Sequence, residues 1–320
     1  MSPSGPTAPA ASPLGRLAAG QPVLARHLAA LARSAASSAP LLLVGEAGTG
    51  RTALARAVHA ASRRAAGPLV ELDPGAVPAT LFESELFGYR AGAFTGAAVT
   101  TPGRVARAAG GSLLFDHVEE LPLAVQPKLL RLVAEGSYAP LGGRERRSDV
   151  RFLSVGSEDL QERVRRGAFR EDLYYRLEVL AFRVPPLRER PEDLPGLVAA
   201  LLEDLGERFG RAGATLSERA RDWILRHPWP GNLRQLKNTL ERALVLAPEA
   251  AGAAGAAPGP VLDPEPPAGG DRPPRPLAEV EADEIRRALA YTRGHQGEAA
   301  RLLGISRKAL WAKRRRYGVP

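Results

Sequence analysis

The stretch LLLVGEAGTGRTALARAVH, residues 41–59, constrains the fold more than any other part of the chain. Its apolar start reads as a buried strand and its end as a helix. Between them, Gly45, Gly48 and Gly50 leave the backbone free to turn its N–H groups onto an anion at the helix N-terminus. The candidate phosphate loop is therefore Gly45, Glu46, Ala47, Gly48, Thr49, Gly50, Arg51 and Thr52. Thr52 supplies the hydroxyl expected on Mg2+. The usual pattern G-x-x-x-x-G-K-[ST] carries Lys where this chain has Arg51, and a wide planar guanidinium is not equivalent to a slim ammonium in a tight site.

The loop is one step in a repeating alternation. Apolar, β-prone runs at 39–45, 68–73, 111–116, 150–156 and 180–186 are separated by amphipathic helical stretches. That alternation predicts an α/β fold with a parallel sheet. The third run, GSLLFD, ends on Asp116, which favours a phosphate-binding sheet over a mere Gly-rich turn. His117 follows, where a nucleotide hydrolase carries a second acidic residue to activate water. From residue 191 to 246 the pattern is helical throughout and predicts a small helical subdomain. Its last helix, NLRQLKNTLERALVL, has an apolar stripe of Leu233, Leu236, Leu240 and Leu244, with Asn232 placed to cap it. Residues 1–16 are Pro/Ser/Ala-rich and read as a disordered tail. Residues 247–276 are Ala/Gly/Pro-rich and read as a flexible linker. Residues 277–320 resume helical periodicity as three short helices.

Composition narrows the class. With 44% apolar but only 5% aromatic residues in 320, cores must be built mainly from Leu, Val and Ala. No cysteine is present, which excludes disulfides and thiolate metal sites. No signal-like start and no bilayer-length apolar run occur, so a cytoplasmic protein with no membrane partner is expected. The net charge of +9 is unevenly placed, with RKALWAKRRRY at 307–317 as its densest cluster. Charge alone leaves a nucleic-acid surface and a solvated face equally open.

Between the second and third runs lies ESELFGYRAGAFTGAAVTTPGRVARAAGG, with GAFTGA at its centre. Together with ELPLAVQPKLLRLV, GAFREDLYYRL, PPLRER and WPGNLRQLKNTLERAL, this stretch resembles the AAA+ domain of bacterial sigma-54-dependent transcription activators. The resemblance covers residues 17–246 and resumes at the C-terminus. It implies an AAA+ α/β subdomain at 17–188, a helical lid at 189–246, ATP with Mg2+ as cofactors and assembly of like or related subunits into a ring. It implies that Gly92, Ala93, Phe94, Thr95, Gly96 and Ala97 form a loop that contacts sigma-54 RNA polymerase. Arg170 and Arg176 match arginine fingers acting on a neighbouring subunit's nucleotide. Arg234 matches the lid arginine that meets phosphate, and Thr52 with Asp116 would hold Mg2+. LAEVEADEIRRALAYTRGHQGEAARLLGISRKALWAKRRRYGVP, residues 277–320, resembles a Fis-type helix-turn-helix that binds double-stranded, enhancer-like DNA. Ala299, Ala300 and Leu303 would form the inner face of its first helix, Gly304 the turn and Ser306 the cap of the second. That second helix bears Arg307, Lys308, Trp311, Lys313 and Arg315 as candidate DNA contacts.

The chain departs from this pattern at the nucleotide. Arg51 replaces Lys, His117 replaces the water-orienting Glu, Asp73 stands for an Asn, and Gly156 with Ser157 stands for a Thr-Asn pair. A neutral imidazole can act as a base, and Asp73 is its candidate hydrogen-bond partner. Glu119 is a second candidate carboxylate, provided the strand end bends. Arg314 stands where the resemblance implies a buried Leu. Two readings follow: an ATP-driven DNA-bound activator, or a hydrolysis-poor AAA+ modulator acting in mixed rings. A third, an activator of the other polymerase type, is disfavoured by the intact GAFTGA. We expect no receiver or sensory segment before the AAA+ region, and hence control in trans.

Overall fold

The computed structural model describes residues 12–247, 259–264, 277–292 and 294–318. The expected tail at 1–11 and the linker segments 248–258 and 265–276 lie outside them. Five parallel strands form the central sheet: β1 Leu41–Gly45, β2 Leu69–Leu72, β3 Ser112–Phe115, β4 Arg151–Gly156 and β5 Leu180–Val184. Their order is β2-β3-β4-β1-β5, so the strands fall on the five apolar runs. Both β3 and β4 are buried at every position, as strands covered on two faces must be. β5 lies at an edge, and its exposure alternates. In this order β4 lies between β1 and β3, so the residue ending β4, Gly156, sits between the glycine loop and Asp116. Ligands of open α/β sheets bind at this carboxyl edge.

Helices α1 Pro13–Ala18, α2 Pro22–Ala35 and α3 Arg51–Ala60 pack with the sheet through Leu14, Leu24, Leu28, Leu31, Leu54 and Val58. Residues 13–16 therefore do not belong to a disordered tail. Ser12 caps α1 by accepting the Gly15 N–H at 2.9 Å, and Leu14 is fully buried. A single apolar residue in a Pro/Ala-rich stretch carries no periodicity, and only the packed partner surface reveals it. The opposite face of the sheet is covered by a second cluster that includes α4 Gln126–Glu135 and α5 Glu171–Leu177.

The lid comprises α6 Leu194–Arg208, α7 Glu218–Arg226 and α8 Asn232–Leu246 around Trp229, Ile224, Leu236, Leu240 and Leu244. It is stitched to the sheet unit by Asp193, whose carboxylate accepts the N–H groups of Val23 and Leu24 at 2.8 and 3.0 Å. That bond caps α2 from a distant segment, because Gln21 at the cap position makes no side-chain cap bond. Within the stretch read as a linker, Val261–Leu262 pairs in parallel with Thr215–Leu216, and Leu262 is buried in the lid core. The linker reading thus fails at these residues, where two apolar positions find a lid strand to pair with. The last unit holds α9 Leu277–Tyr291, α10 Gln296–Leu302 and α11 Arg307–Tyr317, with Ile285, Ala299, Ala300 and Leu310 as its core. Its three helices match the expected three.

Candidate functional site

The loop after β1 has the shape an anion cradle needs. Gly48 and Gly50 lie at φ +78° and +95°, where a side chain is strained. A Cβ on Gly48 would also fall 2.4 Å from the Gly231 carbonyl oxygen. Helix α3 begins at Arg51, so its first N–H groups face the loop. Across the loop, the Thr52 hydroxyl donates to Asp116 Oδ2 at 2.9 Å. This hydroxyl and carboxylate are the hard oxygen donors that Mg2+ takes, so the residues present fit both a phosphate and that ion.

Arg51 passes Gly45 and ends on β4. It is 7% exposed, and its guanidinium donates to the Gly156 carbonyl at the end of β4. Burial pushes its pKa below the usual range, opposed by the carboxylates of Glu119 and Asp116. His117 sits in a left-handed turn at φ +57°, and its Nδ1 lies 3.3 Å from Asp73 Oδ2. The other Asp73 oxygen accepts the Gly75 N–H at 3.0 Å. The expected His117–Asp73 contact is therefore present. The chain does bend after β3, but Glu119 turns toward β4, where its Oε1 accepts the Ser157 N–H at 3.2 Å.

The lid closes on the loop through residues that sequence reasoning missed. Asn232 is not a helix cap. It begins α8 at φ +50°, accepts the Leu187 N–H at 2.7 Å, and donates to Glu46 Oε2 and the Ala47 carbonyl at 3.2 and 3.1 Å. Its side chain is drawn off the helix end because these buried partners offer more hydrogen bonds than a cap would. Arg188 adds two bonds to Glu46, at 2.7 and 2.5 Å, and lowers the Glu46 pKa. Arg190 is fully buried and donates to the Thr49 carbonyl at 3.2 Å. The two arginines of PPLRER, grouped only as a motif, were the available signal. Arg234 is exposed on α8, and its Cβ lies 3.1 Å from the Cβ position of Gly48.

Arg170 and Arg176 are not brought to this site by their own chain. Arg170 pairs with Asp172 at 2.7 Å, while Arg176 donates to the Ala134 carbonyl at 3.0 Å, and both are exposed. The 92–97 loop is closed by the Gly92 N–H on the Ala97 carbonyl at 2.8 Å. Gly92 and Gly96 have φ +82° and +97°. Phe94 is 45% exposed with its ring edge-on to Tyr89 at 5.0 Å, and Thr95 is exposed beside it. Ala93 faces Gly142, and Ala97 is buried as the loop's foot.

In the last unit, Gly304 turns at φ +66° and Ser306 caps α11 by accepting the Ala309 N–H at 3.1 Å. Arg307, Lys308 and Arg315 are exposed on this helix. Trp311 is 56% exposed, with the Arg315 guanidinium 5.7 Å from its ring centre, so it does not anchor the core. Lys313 is less free than expected: it pairs with Glu281, which also accepts from the Tyr317 hydroxyl at 2.6 Å. Arg314 is half-buried, and its Nε has no hydrogen-bond partner.

Residues 17–183 match the Sigma-54 interaction domain, 188–254 the AAA+ ATPase lid domain, and 276–317 the bacterial regulatory protein Fis family. The chain belongs to the sigma-54 interaction family of bacterial regulators. It is 39% identical over 312 residues to the alginate biosynthesis transcriptional regulatory protein AlgB of Pseudomonas aeruginosa, spanning 93% of this chain and 66% of AlgB. It is 41% identical over 293 residues to the transcriptional regulatory protein ZraR of Escherichia coli, spanning 91% of this chain and 66% of ZraR. The crystal structure of NtrX from Brucella abortus in complex with ADP superposes with a TM-score of 0.69 at 29% identity, over 92% of this chain and 67% of NtrX. The chain thus spans about two thirds of the length of these relatives. As in the family, an AAA+ α/β unit and lid precede a helix-turn-helix, and no helix among the described residues is long and apolar enough to cross a membrane.

Proposed function

We propose that this chain is a DNA-binding, sigma-54-dependent transcriptional regulator whose AAA+ module binds ATP with Mg2+ but hydrolyses it poorly alone. The observation carrying this reading is a division at one site. The glycine cradle and the Thr52–Asp116 pair are kept, while Arg51 is turned onto Gly156 and His117 stands where the family resemblance implies a water-orienting Glu. NtrX, which shares this fold, is known in complexes with ADP and with ATP. In the proposed role the loop N–H groups hold phosphates, Thr52 and Asp116 hold Mg2+, and Arg234 reaches down from the lid. Mg2+ would supply charge neutralisation at the phosphates. Phe94 and Thr95, exposed between two glycines, would contact the sigma-54 polymerase. The exposed Arg170 and Arg176 would serve a neighbour in a ring. The α11 helix would enter the DNA major groove through Arg307, Lys308, Trp311 and Arg315.

Such residues help others more than they help this subunit, which favours mixed rings with an intact relative. In a mixed assembly, Arg170→Ala in this chain is expected to depress the partner's ATPase, whereas His117→Ala is expected to change little. The 3.3 Å His117–Asp73 contact favours one other reading, in which the imidazole is a working base and a homomeric ring is self-sufficient. Steady-state ATPase of the chain alone separates the two. Turnover near that of an intact relative, abolished by His117→Ala, selects the altered base and rules out the mixed ring. Slow turnover that rises in Arg51→Lys plus His117→Glu supports the hydrolysis-poor site, and the mixing experiment then tests the mixed ring.

A further inference from the structure

Behind the phosphate loop, three positions form one buried assembly. Glu119 is 6% exposed, and its Oε2 is buried with no hydrogen-bond partner. A buried carboxylate with one unsatisfied oxygen is stabilised by a nearby cation. The cation beside it is Arg51: the guanidinium donates to the Gly156 carbonyl, and a Cβ on that same residue would lie 3.4 Å from Glu119 Oε2, which places the two charges on either side of one residue without a direct ion pair. Gly156 makes the room. A Cβ there would lie 3.1 Å from Val118 Cγ1 and 3.4 Å from Glu119 Oε2. The tighter neighbours of that Cβ are Val118 and Leu160, at 3.1 and 3.3 Å, and the carbonyl that receives Arg51 belongs to this same residue. Positions 51 and 119 therefore meet at position 156.

We propose that Glu119 and the Gly156 carbonyl hold the Arg51 guanidinium away from the γ-phosphate, so that this site binds a nucleoside diphosphate about as tightly as a triphosphate. The inference rests on the reading that the loop binds nucleotide. In the phosphate-loop pattern the β-phosphate is held by backbone N–H groups as well as by the cation, whereas the γ-phosphate depends on the cation far more. Here the loop N–H groups are kept, while a donor of the cation is turned to the Gly156 carbonyl and a carboxylate lies beside that residue. The extra phosphoryl group then adds negative charge near Glu119 without the loop cation as a partner, leaving Mg2+ and Arg234 to offset it. Glu119 acts through Arg51 and is a positioning residue.

Calorimetric titration of the full-length chain with ADP and with ATPγS, each in Mg2+, tests this. For the natural sequence the two dissociation constants are expected to agree within about threefold. Glu119→Gln keeps the side-chain shape and the Ser157 contact while removing the charge that holds Arg51. It is expected to favour ATPγS over ADP by about tenfold relative to the parent chain. Arg51→Lys, whose ammonium reaches forward along the loop, is expected to move the ratio the same way and covers the case in which Glu119→Gln does not fold. A purely structural role for Glu119 would lower the melting temperature and leave the ratio alone. A parent chain that prefers ATPγS by tenfold or more overturns the inference, as does an unchanged ratio in every folded variant. Binding of neither nucleotide by the parent chain overturns the nucleotide reading itself, and the inference with it.

Discussion

Asn232 shows how one amide can connect three segments. Its oxygen accepts the buried Leu187 N–H while its nitrogen serves Glu46 and the Ala47 carbonyl. Asn232→Ala leaves the Leu187 N–H unpaired, an orphan worth about 1–3 kcal/mol. Asn232→Asp restores that acceptor, yet it sets a carboxylate where the amide nitrogen lay 3.2 Å from Glu46 Oε2. We therefore expect Asp to be at least as damaging as Ala by denaturant unfolding, and an Asp variant as stable as the parent would falsify this account. Leu14 is a second case, fully buried at the edge of a stretch without periodicity. Leu14→Ala is expected to lose about 2–5 kcal/mol, the range for deleting a buried leucine. A loss under half a kilocalorie would mean that α1 is not docked.

At the scale of elements, the strap from lid to phosphate loop is an ion pair with a pH signature. Hydrogen bonding from Arg188 holds the Glu46 carboxyl below its ordinary range. A lowered carboxylate pKa contributes stability above the unfolded value of about 4.3. That contribution is lost as pH falls through the lower folded value. Thermal melts of the parent chain should fall toward those of Glu46→Gln as pH drops from neutral to below about 4, and a constant gap across that range would exclude the strap. In α11, the exposed Arg307 and Arg315 are expected to differ in kind. Arg307→Ala, at the capped end, should relax sequence preference on duplex DNA. Arg315→Ala should weaken all sequences alike and reduce the salt slope by about one. Lys313→Ala breaks the contact to Glu281, so its main expected effect is a lower melting temperature of the helix-turn-helix, read by circular dichroism.

The whole molecule divides into two compact units, at residues 1–265 and 266–320. Residues 277–320 hold ten cationic and five acidic side chains, so the small unit carries an outsized share of the net charge of +9. Truncation after residue 265 is expected to leave the melting transition of the first unit in place and to abolish duplex DNA binding. The full chain should bind DNA with a strong salt dependence, since each phosphate contact releases counterions. DNA affinity that survives truncation, or that ignores salt, would move the DNA site out of the last unit.

The sequence by itself determined the order of strands along the chain, the parallel sheet, the loop, the lid and the three C-terminal helices. These follow from short-range patterns: glycine spacing, apolar runs of strand length and the helical repeat. It also marked Arg51, His117, Asp73 and Gly156 as departures, and the Asp73–His117 contact was legible from residue chemistry. Tertiary structure alone decided where those side chains point. That Arg51 turns to Gly156 depends on β4 inserting between β1 and β3, a pairing among distant segments that no local pattern encodes. The same holds for Asp193 capping α2, for Leu262 entering the lid core and for Asn232 leaving the helix end it seemed placed to cap. A buried polar side chain goes to whichever partners the packed fold brings within reach, and those partners lie far along the chain.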